Sequence, residues 1–284
     1  MTGYISLSLF RSITIVLNAM VLLTFTQGCT ANLKAIQDFA SLSAESAQYT
    51  TLVDDYLDFP QRQKRYQPPS RHANLDAMAQ DRAAQKTSLL LRQSIIETYM
   101  KSLGRLAANE VVDNTEELAQ LSAALESQTP TTPKEAEAFK KIAGIVATVA
   151  VKRWRQDQLQ NLIEQANTPI QQVLETLHRI VSDGFGGDLQ TEDAAIQNYY
   201  MTLIMESQDP AGKAALAEWK DLRMSQVHER SEAVQIYGKV LDQIADGHQR
   251  LFDQRQNLTK KEVLQQVGKS VKDLRSLLET IKKL

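Results

Sequence analysis

The chain has 284 residues, 32 of them basic and 34 acidic, for a formal net charge of −2. That length suits one large domain or two small ones. Charges of both signs are interspersed, so no excess of positive charge points to a nucleic-acid partner. Cys29 is the single cysteine, which excludes an intramolecular disulfide. No CxxC or Cys/His cluster suggests a metal, and no cofactor is expected. Aromatics are 6% of the chain, and Ala, Leu, Gln, Glu, Lys and Arg dominate. Those are strong helix formers. The expected fold is all-α, an elongated bundle of long antiparallel helices.

At the N-terminus, residues 1–11 carry one charge, Arg11, and 12–27 (SITIVLNAMVLLTFTQ) carry none. Ser12, Thr14, Asn18, Thr24, Thr26 and Gln27 interrupt that run. A spanning helix wants ~20 predominantly apolar residues, so it would span poorly. A short basic start, an apolar centre and the small residue Gly28 describe a secretory signal peptide. With Cys29 directly after Gly28, the segment resembles the lipobox of bacterial lipoprotein precursors. The resemblance implies removal of residues 1–28 and attachment of fatty acyl chains such as palmitate to Cys29. The single domain 29–284 would then be held to a membrane by that lipid. Thr30 as second mature residue implies sorting to the outer membrane, facing the periplasm.

Helices are predicted over 33–58, 71–108, 114–127, 133–166, 169–182, 192–207, 210–256 and 260–283. Leu42, Tyr49, Leu52, Val53 and Tyr56 form the first apolar stripe. A break at 59–70 (FPQRQKRYQPPS) follows, where Asp54, Asp55 and Asp58 face Arg62, Lys64 and Arg65. This reads as a self-neutralising loop, or as a partner-binding corner presenting Tyr66, Pro68 and Pro69. Leu89, Ile96, Tyr99, Leu103 and Leu106 mark the next helix. Start signals are legible at Thr132, Pro133 and Glu135, at Thr168, Pro169 and Gln171, at Asp209 and Pro210, at Thr259 and Glu262, and at Asp113 and Glu116.

Residues 142–151 are an uncharged, largely apolar run between Lys140, Lys141 and Lys152, Arg153, Arg155. Ala143, Gly144 and Ala147 allow close helix contact. A central helix buried on all sides is expected. The alternative is a surface that enters lipid, with Trp154 and the basic residues at the headgroups. Core packing is also expected for 196–205 (IQNYYMTLIM), although Met201 and Met205 suit adaptable contacts.

Glu175 and His178 have the Glu-x-x-His spacing of di-metal carboxylate bundles, but no second copy occurs. A partly exposed histidine beside Leu174 and Leu177 is the expectation. The glycines of DGFGGD (183–188), Gly184, Gly186 and Gly187, lack the Lys-Ser/Thr of a phosphate loop. Phe185 occupies a position where a calcium loop needs oxygen, so these glycines read as a helix stop. His72, His228 and His248 form no constellation, and GxSxG and HExxH do not occur. The chain therefore reads as a non-enzyme, with no catalytic residue and no metal ligand.

The last two helices carry heptad-like stripes. Val234, Tyr237, Leu241, Ile244, His248 and Leu251 face Leu264, Val267, Val271, Leu274, Leu278 and Ile281 as a helical hairpin. His248 should be at least partly buried, with its charged form disfavoured. The functional expectation is a cell-envelope lipoprotein acting as a binding or scaffold module for a protein partner. The alternative is a pore-forming or lipid-interacting helical protein using 142–151.

Overall fold

The computed structural model describes residues 33–110, 119, 133–149 and 156–283. Among them the fold is all-α, with no strand. In chain order the helices are α1 (Lys34–Ala47), α2 (Thr50–Lys64), α3 (His72–Ala107) and α4 (Pro133–Val149). Then come α5 (Gln156–Arg179), α6 (Gly186–Glu206), α7 (Pro210–Asp253) and α8 (Lys261–Ile281). A 3-10 turn precedes α3 at Pro69–Arg71, and another follows α7 at Arg255–Asn257. A π turn, Ile180–Phe185, joins α5 to α6 without interruption.

Two long antiparallel pairings organise these helices. In the first, α1 and α2 lie head to tail along α3. Gly104 of α3 admits Ala40, Gln93 Nε2 donates to the Tyr49 carbonyl at 3.3 Å, and Lys86 meets Asp54 at 2.9 Å. Lys64 pairs with Asp76 at the far end. In the second, α5 and α6 run along the whole of α7. Asn167 Nδ2 donates to Gln249 at 3.0 Å, Gln171 Nε2 to the Ala245 carbonyl at 2.8 Å, and Asp193 lies 3.0 Å from His228. The apolar faces of the two pairings meet in a core that includes Phe39, Ile96, Tyr99, Leu103, Ile163, Ile170, Tyr237 and Ile244. There Tyr99 reaches His248, and the Tyr237 hydroxyl donates to the Ala47 carbonyl at 2.9 Å. Gly247 lets the Phe39 ring of α1 lie against α7, because a Cβ there would overlap that ring.

The single helix expected over 33–58 is broken at Gln48 and Tyr49. Tyr237 and Gln93 hold the break, donating to the carbonyls of Ala47 and Tyr49, and the Tyr49 N–H also donates to the Ala47 carbonyl at 3.3 Å. The buried face of α1 is Ile36, Phe39, Ala40, Ser43, Ala44, Ser46 and Ala47, while Leu42 is half-buried.

The break expected from residue 59 is also displaced, since α2 continues through Pro60 to Lys64. Proline cannot donate to the carbonyl four residues back, here that of Tyr56. Arg82 Nη1 of α3 supplies the missing donor at 2.8 Å. In the same way α5 runs through Pro169 rather than starting there. An interior proline costs ~3 kcal/mol or more, and a fully buried aliphatic side chain returns ~1.5–3 kcal/mol. Leu162, Ile163, Ile170, Val173, Leu174 and Leu177 are all buried on one face, so continuity wins.

Of the start signals, Asp209 is satisfied. Its carboxylate accepts from the backbone N–H of Ala211 at 3.2 Å and of Gly212 at 2.8 Å, with Pro210 opening the helix. Thr168 lies inside α5 and Thr259 does not cap α8, whose N-cap position is Lys260. Glu135 is buried and takes the Arg92 guanidinium at 2.7 and 2.8 Å, which pins α4 to α3. Thr132, Asp113 and Glu116, and the helix expected over 114–127, lie outside the described residues apart from position 119.

The glycines of 183–188 do not stop the helix. The chain widens into the π turn, and Gly186 keeps right-handed helical angles. The buried Phe185 ring sits edge-on to Tyr56 at 5.7 Å. Turning this side chain inward accounts for the widened turn, since one inserted residue shifts the face of the helix without breaking it.

The C-terminal hairpin forms, with α8 packed on both α7 and α1. Its buried stripe is Val263, Val267, Val271, Leu274, Leu278 and Ile281, with Ser270. Leu264, expected in that stripe, is half-buried, and Val263 takes its place, because α8 faces two helices rather than one. Leu274→Ala should cost ~2–5 kcal/mol, read as a lower urea midpoint at an unchanged slope. Gly247→Ala should cost ~1–3 kcal/mol through overpacking against Phe39. The double variant Gly247→Ala/Phe39→Leu should recover part of that loss.

Candidate functional site

A polar seam joins the two pairings where α2, α3, α6 and α7 meet. Asp188 and Glu192 lie one turn apart on α6. Arg82 of α3 pairs with Asp188, and its guanidinium stacks 4.2 Å from the Tyr56 ring centroid and 4.8 Å from that of Phe59. Arg62 of α2 donates through Nε and Nη2 to Glu192, at 3.0 and 3.2 Å, and through Nη1 to the Asp55 carbonyl at 2.9 Å. Arg230 of α7 lies 3.5 Å from Asp55. Burial raises the Asp188 carboxyl above its ordinary value, against the pull of Arg82. Glu192 is only 2% exposed, and the Arg62 guanidinium supplies the partner that a buried carboxyl group needs.

The corner at 54–69 is thus not a self-neutralising loop. Asp54, Asp55, Arg62 and Lys64 sit on one helix and reach partners on α3, α6 and α7, while Arg62 also lies 3.8 Å from Asp55 of the same helix. The reason is the extra helical turn beyond Pro60. Tyr66 is half-buried rather than exposed, 5.7 Å from the Tyr199 ring and 6.3 Å from the Tyr200 ring. Pro68 and Pro69 are exposed.

Beyond this seam, α6 and α7 project as a two-helix arm. Between residues 197 and 226 Tyr200 alone is buried. Core packing of 196–205 is corrected: Ile196 and Tyr200 are buried, but Tyr199, Met201 and Met205 are exposed. Trp219 and Leu222, three residues apart on α7, are each more than half exposed. Beyond the Tyr66 contact, no third helix among the described residues covers this stretch, so the apolar side of each helix packs there mainly on the other.

The run at 142–151 is described as far as Val149 and is not buried on all sides. Ile142 and Val146 are fully buried, whereas Gly144, Ala147 and Thr148 are exposed, because among the described residues α4 packs mainly on α3 and α5. Val151, Lys152, Arg153, Trp154 and Arg155 lie outside the described residues. So does Cys29. Among the described residues no helix is long and apolar enough to cross a membrane.

His178 is half-buried, 3.4 Å from Asp242, while Glu175 is exposed. Among the described residues no group of three or more His, Cys, Asp and Glu side chains is placed to hold a metal ion. His72 Nε2 lies 3.0 Å from the Gln67 carbonyl, and His228 is exposed beside Asp193. His248 is different. It is fully buried, with Nδ1 2.9 Å from Asn167 Oδ1 and Nε2 against the Tyr99 hydroxyl. Asn167 donates its amide to Gln249, so its oxygen accepts from His248 Nδ1–H, and Nε2 accepts from Tyr99. The ring is held as the neutral Nδ1–H tautomer, and burial pushes the Tyr99 hydroxyl far up.

Sequence reasoning missed Arg82, Glu192, Trp219 and Leu222. The i, i+3 spacing of Trp219 and Leu222 was visible, but nothing local distinguishes an uncovered apolar pair from a core one. Comparison with known proteins gave no match, whether to a family model, a curated protein or a solved structure.

Burial pulls His248 down from its ordinary 6.5 to about 3. Between those values the unfolded chain binds a proton that the fold rejects, so stability rises with pH up to about 6.5 and then levels. Urea midpoints at pH 4.5 and 7 should differ less in His248→Gln than in the wild type.

Proposed function

We propose that this chain is a lipid-anchored protein of the bacterial cell envelope. It acts as a binding or scaffold module, without catalytic chemistry of its own. The anchor is the Cys29 acyl group, and the placement is the outer membrane, facing the periplasm. The observation that supports a binding role is the α6–α7 arm. It presents Met205, Trp219 and Leu222 to solvent, whereas among the described residues of the adjoining bundle Met78 is the one large apolar side chain so exposed. Exposed aromatic and methionine side chains are what protein interfaces concentrate at their centres.

The rival reading, in which 142–151 enters lipid, would require Ile142 and Val146 to leave the core. That costs ~1.5–3 kcal/mol for each side chain before any gain from lipid.

Two measurements test the proposal. The intact mass of the protein extracted from membranes should correspond to loss of 1–28 plus acyl chains on Cys29, and Cys29→Ser should abolish both changes. Retention of 1–28 overturns the anchor. A photo-crosslinking residue at Leu222 should yield a discrete protein adduct in intact cells, while one at the exposed Gln265 of α8 should not. No adduct at Leu222 overturns the assignment of the arm as a binding surface.

A further inference from the structure

Where α2 ends against the arm, a small cavity of about 50 Å³ is lined by Arg65, Tyr66, Glu192, Arg223, Gln226 and Arg230 among others. Its charges do not balance. Glu192 is neutralised by Arg62, and Asp55 lies between Arg62 and Arg230. Among the described residues Arg223 donates only to the neutral Gln226, at 2.9 Å, and the Arg65 side chain meets no carboxylate. The Tyr66 hydroxyl, flanked by both arginines, donates to no protein acceptor among the described residues. Two guanidiniums and one hydroxyl, from the end of α2 and from within α7, therefore line the same space with donor capacity to spare.

We propose that this cavity binds a phosphate group, carried either by a free phosphate or by a lipid headgroup. Its volume is about four times the ~10–15 Å³ that one water needs, room for a single tetrahedral anion. A planar carboxylate satisfies one guanidinium fork, whereas a phosphate offers oxygens in several directions. Donors arriving from Arg65, Arg223 and Tyr66 match the second geometry. The neighbouring Glu192 does not repel the anion outright, because Arg62, which also lines the cavity, pairs with it through Nε and Nη2. The site is independent of whether Cys29 carries a lipid.

The test uses the full chain in nonionic detergent, titrated with inorganic phosphate against chloride at equal ionic strength. Phosphate should raise the melting temperature saturably and bind by calorimetry. The double variant Arg65→Gln/Arg223→Gln should weaken that binding at least tenfold and Tyr66→Phe by a few-fold. Both variants should melt as the wild type does without phosphate, since neither arginine has a carboxylate to lose. In a second arm, wild type and double variant are sedimented with vesicles of phosphatidylcholine alone or with phosphatidylglycerol. Preferential recovery of the wild type on the anionic vesicles, without binding of free phosphate, identifies a headgroup as the source and upholds the site. Absence of binding in both arms overturns the proposal, as does binding that the double variant leaves unchanged.

Discussion

The Tyr56 carbonyl has no helical donor, because Pro60 stands four residues further on, and a guanidinium from another helix, that of Arg82, fills the gap. An unpaired buried carbonyl costs ~1–3 kcal/mol, enough to favour ending the helix at residue 58. Once Arg82 supplies the donor, α2 continues to Lys64 and carries Arg62 as far as Glu192. The same guanidinium pairs with Asp188 and lies over Tyr56 and Phe59. It therefore joins α2, α3 and α6 at one point, and the seam, the Tyr66 contacts and the small cavity all depend on that joint.

The polar groups buried in the bundle follow a common rule. Arg92 with Glu135, Arg62 with Glu192, and Tyr99 with His248 and Asn167 each link elements distant in sequence. Such contacts are weak sources of stability compared with apolar replacements of the same shape. What they do supply is registry. A helix can slide by a turn along an apolar face with modest loss, but not past a buried charge that has one partner. Gly247 enforces the same register by steric means, since the Phe39 ring fits only where α7 lacks a side chain.

The unequal burial along α7 connects the fold to the proposed role. Its C-terminal half is enclosed by α1, α5 and α8, and carries Val234, Tyr237, Leu241, Ile244 and Leu251 inward. Its N-terminal half packs on α6 and touches the end of α2 near Arg223 and Arg230, and among the described residues nothing covers Trp219 and Leu222, which stay largely in water. A binding module needs a rigid base and an accessible surface, and one continuous helix of 44 residues provides both. The basic cavity lies where the enclosed part gives way to the arm, so a ligand there would sit beside the arm's base.

Much of the secondary structure was legible in the residues alone. Helix-forming composition, the stripe from Leu89 to Leu106, the stripe from Val234 to Leu251 and the Asp209 cap are local signals, and local signals act through neighbours within a turn or two. They determined that the chain is all-α, where α7 begins, and that His248 lies inward. Proline and glycine were misleading at Pro60, Pro169 and Gly186, because their local preference is worth a few kcal/mol and a continuous buried face is worth more. Which apolar residues are covered, and which charges find partners across the bundle, depends on helices more than a hundred residues apart, as Arg62 and Glu192 show. Periodicity specifies a face but not its neighbour. Only the tertiary structure decided that Tyr237 is enclosed while Trp219 is not, because burial belongs to the packing of helices against one another and not to any one of them.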